Sequence, residues 1–186
     1  LAHVARMLDD RSFRGQRVVV TAGPTREIVD PVRVLSNRSS GRMGVALASA
    51  AWRRGAEVTL IAGPLEVAAP VGPTLVRVES TEEMASAVRD AAGNADVLIM
   101  AAAPADFRAA APSASKIKKG KEAPTLALEP TTDILRDSAM HMRAGAVRVG
   151  FALETDDRLA NARRKLEAKS LDLIVLNDAL EPGAGV

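Results

Sequence analysis

TAGPTREIVDPVRVLSNRSSGRMG, residues 21–44, decides the fold because it joins a strand-like run to a helix-like run. The run before it, RVVV at residues 17–20, is β-branched and typical of a buried strand. The run after it, VALASAAWRRG at residues 45–55, has apolar residues at helical spacing and ends on arginines and a glycine. A strand that leads through glycines into a helix is typical of a phosphate-binding turn. This connection is several times longer than the usual ~2–6 residues, so its length needs a functional explanation.

Outside this stretch, strand-like and helix-like runs alternate along the chain. Strands are predicted at residues 17–21, 57–62, 75–78, 96–102, 125–129, 147–152 and 171–177, and helices at 41–54, 81–92, 131–143 and 155–169. Thr131 or Thr132 is expected to cap the helix at 131–143. The strand runs are mostly apolar without alternation, as expected where both faces of a sheet are covered. We therefore predict an α/β fold, a Rossmann-like three-layer sandwich with a mostly parallel sheet and helices on both faces. Ligands of such sheets bind beyond the carboxyl ends of the strands.

Composition narrows the classes of protein and partner. The chain has 186 residues, enough for one domain, and a net charge of +2 from 25 basic and 23 acidic residues. Aromatic residues make up only 2%, which disfavours a nucleic-acid surface that stacks bases. The absence of cysteine excludes disulfides, thiolate metal sites and a cysteine nucleophile, and it suits a cytoplasmic protein. No apolar run approaches the ~20 residues of a membrane span.

The end of the long connection carries the first group of site candidates. Backbone amides at a helix start attract an anion, which predicts a phosphate nest at Ser39, Ser40, Gly41 and Gly44. The alternative is a helix cap with a turn glycine, because the dinucleotide pattern Gly-x-Gly-x-x-Gly is absent from this stretch. Four arginines around one polar loop favour an anion over solvated side chains; they are Arg26, Arg33, Arg38 and Arg42.

A second group follows the strand DVLIM, in AAAPADFRAAAPSASKIKKGK at residues 101–121. Asp106 stands just beyond the strand, where a carboxylate can hold Mg²⁺ or a ligand donor, or merely shape a turn. The lysines form either a disordered basic loop or a mobile flap that closes over phosphate; they are Lys116, Lys118, Lys119 and Lys121.

A third group follows the next strand. Phe151 either packs in the core or stacks on a base. Lys165 and Lys169 lie at i and i+4 on one helix face. This face is either solvated or, if the helix points at the site, a second cationic clamp on the anion. His3 and His141 lack metal-ligand spacing. The residues by themselves predict a polyanion site at the strand ends and leave the reaction open.

The motifs TAGPTREIVDPVRVLSNRSSGRMG, AAAPADFR, KIKK, DIL, GFALET and NDAL, in this order over residues 17–179, resemble bacterial phosphopantothenate–cysteine ligase, also called phosphopantothenoylcysteine synthetase. In many bacteria this ligase is the carboxyl half of a bifunctional coenzyme A biosynthesis protein, behind a flavin-dependent decarboxylase. The resemblance implies that residues 1–16 are a linker from that decarboxylase domain. It also implies that residues 17–186 form a ligase domain that is truncated at its carboxyl end.

The resemblance implies a reaction and its partners. CTP, 4′-phosphopantothenate and L-cysteine give 4′-phosphopantothenoylcysteine, CMP and pyrophosphate through an acyl-cytidylate. Mg²⁺ or Mn²⁺ accompanies CTP, whereas FMN belongs only to the fused decarboxylase domain. The resemblance also implies a homodimer, so the long connection is expected to serve two anionic ligands and to reach a partner subunit.

The resemblance implies roles for single residues as well. Asn37 matches the asparagine of the acyl-cytidylate step, with its amide donating to the carbonyl oxyanion, and Lys116 matches the flap lysine that neutralises the α-phosphate. The positions that match CTP contacts are Ser39, Ser40, Gly41, Gly44, Met100, Ala101, Ala102, Asp106, Lys116, Thr132, Asp133, Ile134, Leu135, Phe151, Lys165 and Lys169. The chain has PTTDIL where the family commonly has NPDI, and the metal ligands stay unknown.

Two other functions remain as alternatives. An NAD(P)-binding oxidoreductase needs a compact glycine pattern and an acidic residue after the second strand, where this chain has the glycine of LIAGP. The second alternative is a non-catalytic dimerisation domain. The candidate site residues do not distinguish CTP from ATP as the nucleotide.

Overall fold

The computed structural model describes residues 2–120, 124–154 and 157–178. Its helices are α1 (Ala2–Leu8), α2 (Arg42–Arg53), α3 (Thr81–Ala92), α4 (Ile134–Asp137) and α5 (Arg158–Ala168), and a 3₁₀ turn at Ser138–Met140 follows α4. Its strands are β1 (Arg17–Ala22), β2 (Arg26–Ile28), β3 (Val34–Ser36), β4 (Glu57–Ala62), β5 (Thr74–Arg77), β6 (Val97–Met100), β7 (Phe107–Ala109), β8 (Leu128–Pro130), β9 (Val147–Glu154) and β10 (Leu173–Asp178).

Six of these strands form one parallel sheet in the order β5-β4-β1-β6-β9-β10. Counted along the chain, this is the doubly wound order 3-2-1-4-5-6. After β1 the chain adds β4 and β5 on one side of it, and then returns to add β6, β9 and β10 on the other side. The strand order therefore reverses between β1 and β6. The short strands pair separately as two antiparallel ladders, β2 with β3 and β7 with β8. The predicted Rossmann-like α/β fold is confirmed.

Helices cover both faces of the sheet, and the alternation of side chains along β1 explains how. Val18 and Val20 pack on the face that carries α2 and its buried Trp52. Val19 points to the opposite face, where it packs with Met84 of α3 and with the buried residues of α4. Consecutive strand residues point to opposite faces, so the uninterrupted apolar run builds two cores at once.

The predicted helix at residues 131–143 is wrong in its extent and in its cap. The α-helix spans only Ile134–Asp137, and Asp133 caps it by accepting a hydrogen bond from the Arg136 amide at 3.1 Å. The expected caps, Thr131 and Thr132, instead donate their hydroxyls to Ala105 O at 2.5 Å and to Glu82 Oε2 at 3.0 Å. Tertiary partners therefore outcompete the local capping role of both threonines.

The two antiparallel ladders are not apparent as pairs in the sequence pattern. The long connection after β1 contains β2 and β3, and the lysine-rich segment begins with β7. The strand expected at residues 125–129 is present as β8, Leu128–Pro130. Three-residue strands carry too few side chains for a period-2 pattern, so the pairing depends on contacts distant in sequence.

The amino-terminal helix α1 packs against the end of α2. The guanidinium of Arg6 lies 4.7 Å from the ring centroid of Trp52, and it donates to Ala56 O at 3.1 Å and Gly55 O at 3.2 Å. The ring of His3 meets the same indole edge-on at 5.2 Å. The interpretation of residues 1–16 as an interdomain linker stays a prediction.

Some expectations fall beyond the described ranges. Lys121, the helix start at residue 155 and the carboxyl-terminal segment 179–186 lie outside the described residues. Among the helices that the structure does describe, none is long and apolar enough to span a membrane.

Candidate active site

Several site candidates lie on the two segments that follow β1 and β6, which end side by side. The amide of Ala103 donates to Gly23 O at 2.9 Å, and the amide of Ala102 donates to the buried hydroxyl of Thr21 at 3.1 Å. Gly23 has a φ of 76°, which a residue with a Cβ adopts only under strain. The chains after β1 and β6 therefore stay in contact beyond the sheet, at the strand-order reversal where such folds bind ligands.

Glycines bring the first turn of α2 onto the end of β1. A Cβ built on Gly44 lies 2.5 Å from Ala22 Cβ and 2.6 Å from Thr21 O, so only glycine fits there. Gly41, with a φ of 77°, precedes the helix and is buried beneath Leu65. These two glycines act through backbone packing. Ser39 and Ser40 are half-buried beside them, and a phosphate contact by the four residues stays a prediction.

Asn37 bridges the long connection to the chain after β6. Its Nδ2 donates to Pro104 O at 2.9 Å and to Ala103 O at 3.4 Å. Backbone carbonyls only accept hydrogen bonds, so the nitrogen must face them and Oδ1 must face away. In this arrangement the amide is available to a ligand as an acceptor, whereas the expected donation to an oxyanion requires Nδ2 to leave a carbonyl.

The lysine-rich segment after β7 is exposed but anchored. Lys116, Lys118 and Lys119 form no ion pair with any residue the structure describes. The neighbouring Ile117 is held on both sides of its backbone, by Asp30 through its N–H at 3.1 Å and by Arg33 through its C=O at 3.1 Å. Lys116 therefore offers an ammonium group that pairs with no described carboxylate, on an anchored stretch of backbone.

Asp30 is a buried carboxylate that sequence reasoning missed. It is 1% exposed and accepts hydrogen bonds from the amides of Val32 and Arg33, both at 2.8 Å. Burial raises its pKa, but the N–H donors of Val32, Ile117 and Arg33 outweigh burial and lower the pKa to about 2. The Asp-Pro pair signals a turn in the sequence. Nothing local signals the contact with residue 117.

A second buried group lies behind the site and was also missed. The amide of Ala105 donates to Thr25 Oγ1 at 2.8 Å, and the hydroxyls of Thr25 and Thr81 are 2.8 Å apart. Thr81 donates from its hydroxyl and amide to Glu27 Oε1 at 2.7 and 2.8 Å. Because Thr81 uses its proton on Glu27, Thr25 must donate to Thr81. This chain of hydrogen bonds ties β2, α3 and the segment after β6 into one unit.

The segment PTTDIL is attached to the same strand end. The amide of Thr131 donates to Asp106 O at 3.0 Å. The side chains of Ile134 and Leu135 are buried in the core, so a nucleotide can contact them only through their backbone. Thr132 and Asp133 remain at the surface of this segment.

The third group of candidates comes together around Asp133. Lys169 Nζ lies 2.9 Å from both carboxylate oxygens of Asp133, and Lys165 Nζ donates to Phe151 O at 2.6 Å. Burial raises the pKa of Asp133, but Lys169 and the Arg136 amide outweigh it and leave the pKa lowered. Both lysines of the predicted cationic clamp therefore bind groups of the protein itself, Lys165 the Phe151 carbonyl and Lys169 the Asp133 carboxylate. Lys169 can contact a ligand only next to Asp133.

The remaining candidates line the end of β6. Met100 is buried with its sulfur 3.7 Å from the Thr21 hydroxyl, and Ala101 and Ala102 are half-buried. The carboxylate of Asp106 is exposed and forms no ion pair with a described residue. Small side chains at this strand end leave the backbone accessible to a ligand.

Several cations on the segments that follow β1 and β6 have no described carboxylate partner. Within the described ranges, no carboxylate pairs with Arg38, Arg42, Lys116, Lys118 or Lys119. Such a set favours a ligand with several negative charges. Fold and candidate residues together define a doubly wound α/β protein in which cations without a described carboxylate partner lie on the segments that follow β1 and β6.

Comparison with known proteins identifies the family. The family model described as DNA/pantothenate metabolism flavoprotein C-terminal domain matches residues 13–186. The chain belongs to this family. The resemblance inferred from the sequence motifs is therefore confirmed.

The chain is similar to two curated relatives and to a solved structure. It is 45% identical over 181 residues, 97% of its length, to a protein from an unknown prokaryotic organism named cysteine/cysteine sulfinic acid decarboxylase. It is 43% identical over 187 residues, 100% of its length, to the coenzyme A biosynthesis bifunctional protein CoaBC of Vibrio cholerae. These matches cover 50% and 47% of the relatives, so the chain spans about half their length.

The solved structure is the crystal structure of the C-terminal domain of coenzyme A biosynthesis bifunctional protein CoaBC. It is 40% identical to this chain, with a TM-score of 0.78, and the match covers 91% of this chain and 80% of that one.

Proposed function

We propose that this chain ligates 4′-phosphopantothenate to L-cysteine at the expense of CTP, giving 4′-phosphopantothenoylcysteine, CMP and pyrophosphate. The observation that carries the proposal is Asn37, which bridges the segments after β1 and β6 at the strand-order reversal, in a chain 40% identical to a CoaBC C-terminal domain. Lys116, which pairs with no described carboxylate, supports it. The cations on the segments after β1 and β6 suit substrates that both carry phosphate. A parallel-sheet site of this type suits a nucleotide.

The first step forms an acyl-cytidylate. A carboxylate oxygen of phosphopantothenate attacks the α-phosphorus of CTP, the bond to the β-phosphate breaks, and pyrophosphate leaves with the bonding electrons. Negative charge develops on the α-phosphate and on the leaving group. Lys116 is the residue proposed to neutralise it, because its ammonium group has no competing carboxylate among the described residues.

The second step forms the amide. The cysteine nitrogen attacks the activated carbonyl carbon, the bond to the phosphate oxygen breaks, CMP leaves and the nitrogen loses a proton. Asn37 is the residue proposed to serve this step. Its Oδ1 faces away from the Ala103 and Pro104 carbonyls and can accept a hydrogen bond from the amine, which orients the lone pair.

Mg²⁺ or Mn²⁺ is proposed to accompany CTP. Among the described residues, no three carboxylates or histidines are grouped to hold a metal by themselves. A cation bound largely by phosphate oxygens and water needs only about one or two carboxylates, and the exposed Asp106 fits that role. The metal would supply further neutralisation of the triphosphate.

We also propose a homodimer that uses the two antiparallel ladders. β2 contacts β7, and apolar side chains on and between these strands are unusually exposed: Ile28, Val32, Val34, Phe107 and Leu128. A patch of this kind is typical of an interface. Light scattering should give the mass of two chains, and Val32→Glu should give one, whereas Val71→Glu on the exposed loop before β5 should not.

The rest of the longer protein is proposed by analogy with the relatives. A fused decarboxylase domain would hold FMN, and the whole protein would be cytoplasmic. The protein named cysteine/cysteine sulfinic acid decarboxylase is matched over only 50% of its length, so the activity in its name is not assigned to this chain.

Pyrophosphate release from Mg²⁺–CTP tests the proposal, first with phosphopantothenate and then with added cysteine. The expected result is phosphopantothenate-dependent pyrophosphate in the first assay and phosphopantothenoylcysteine with CMP in the second. Parallel arms with ATP, with NADPH and with cysteine alone, followed for CO₂, separate the alternatives. Thermal unfolding in the presence of each ligand gives a second test. A midpoint raised only by NADPH would overturn the proposal, and so would the absence of product in every assay.

A further inference from the structure

We infer that Asp30 is a positioning residue that holds Lys116 in place through the backbone of Ile117. Asp30 is 1% exposed, and its two oxygens have different partners. Oδ1 accepts the amides of Val32 and Arg33 at 2.8 Å and shapes the turn between β2 and β3. Oδ2 accepts the Arg33 guanidinium at 2.5 Å and the Ile117 amide at 3.1 Å. One carboxylate therefore joins the turn to the lysine-rich segment.

The clamp formed by Asp30 and Arg33 holds one residue by both of its backbone polar groups. Arg33 Nη1, which Asp30 orients, donates in turn to Ile117 O at 3.1 Å. A second attachment lies four residues earlier, where the amide of Ser113 donates to Val29 O at 2.9 Å. Lys116 lies between these two attachments. Its backbone position is set by the β2–β3 turn, while its side chain forms no ion pair with a described residue.

The burial of Asp30 makes this arrangement specific rather than incidental. A buried carboxylate is costly unless its oxygens are fully bonded, and here four donors satisfy it. An exposed loop of small residues gains little from packing, so most of its order must come from these hydrogen bonds. The effect on catalysis rests on the proposed function, whereas the ordering of the segment does not.

Asp30→Asn separates the two tasks of the carboxylate. The substituted amide would keep its oxygen toward the amides of Val32 and Arg33, so the turn survives. Its NH₂ group would face two other donors, the Ile117 amide and the guanidinium, so the clamp opens. Asp10→Asn is the matched control, because Asp10 accepts from Ser12 N and Oγ in another turn.

Hydrogen exchange tests the clamp without reference to activity. Asp30→Asn should speed exchange at the amides of residues 113–118, and Asp10→Asn should leave them as in the wild type. Unchanged exchange in a folded Asp30→Asn protein would overturn the inference. If that variant does not fold, Arg33→Lys, which removes the bond to Ile117 O, should speed exchange in the same segment, and its failure to do so would be equally decisive.

Kinetics then test positioning. Asp30→Asn should lower phosphopantothenate-dependent pyrophosphate release by about a hundredfold at saturating CTP, since displacement of a catalytic group by ~1 Å has effects of that size. The double variant with Lys116→Gln should be no slower than Lys116→Gln alone, because Asp30 acts through that lysine. Multiplying losses would overturn the positioning role. A wild-type chain without turnover would count against the proposed ligase, not against the clamp.

Discussion

Single lysines in this chain have different roles because their partners differ. Lys169 is paired with Asp133 at 2.9 Å, whereas Lys116 has no carboxylate partner within the described ranges. We expect Lys116→Gln to lower pyrophosphate release by roughly 10²–10³-fold, because one charge that stabilises a transition state has effects of that size. Lys119→Gln, a neighbour in the same segment, should lower it much less. Equal rates in both variants would remove Lys116 from the chemistry.

Asn37 provides a second test at this scale. Aspartate has no N–H to offer the Pro104 and Ala103 carbonyls, so Asn37→Asp should displace the side chain from its present position. We expect the variant to form the acyl-cytidylate and to slow amide formation by at least about tenfold. Single-turnover assays of the two half-reactions measure this separately, with Asn94→Asp at an exposed distant position as control. Equal losses in both half-reactions would contradict this division.

At the scale of elements, the contact of α2 with β1 depends on the small size of Gly44. Gly44→Ala places a methyl group 2.5 Å from Ala22 Cβ, so the helix must shift. We expect a loss of about 1–3 kcal/mol in the free energy of unfolding, the usual cost of overpacking. Gly93 at the end of α3 has a φ of −58° and a nearest atom at 3.9 Å, so Gly93→Ala should be neutral or slightly stabilising. Urea unfolding of both variants distinguishes these outcomes.

Elements also mark the limit of local prediction. The bounds of α3 are predictable because Ser80 and Glu83 form a capping box within a few residues of each other. The prediction for α4 is too long because Thr131 and Thr132 bind Ala105 O and Glu82 instead of capping the helix. Local propensity decides an element where its cap is local and fails where the cap residues have distant partners.

For the molecule as a whole, the lowered carboxyl pKa values predict acid sensitivity. Burial raises the pKa of Asp30 and Asp133, but hydrogen bonds outweigh it and lower both, that of Asp30 to about 2. A folded-state pKa below the unfolded value of ~3.9 means that these groups stabilise the fold fully above about pH 4. They lose that effect as the pH falls through their folded-state pKa values, which for Asp30 is about 2. The urea midpoint should therefore fall as the pH drops from about 4 toward 2. Asp30→Asn should show a shallower fall, and an equally steep one would contradict this origin.

The sequence by itself determined the Rossmann-like α/β class and the family, and it predicted a site at the strand ends, because each depends on local patterns. Apolar runs of strand length, glycines between strand and helix, and the motif around Asn37 are all visible in short windows. The tertiary structure alone decided which groups are free and which are already bonded. Asp30 meets Ile117 across 87 positions, and Lys169 meets Asp133 across 36. Such hydrogen bonds form only when the folded sheet brings distant segments within about 3 Å, and no local pattern encodes that distance.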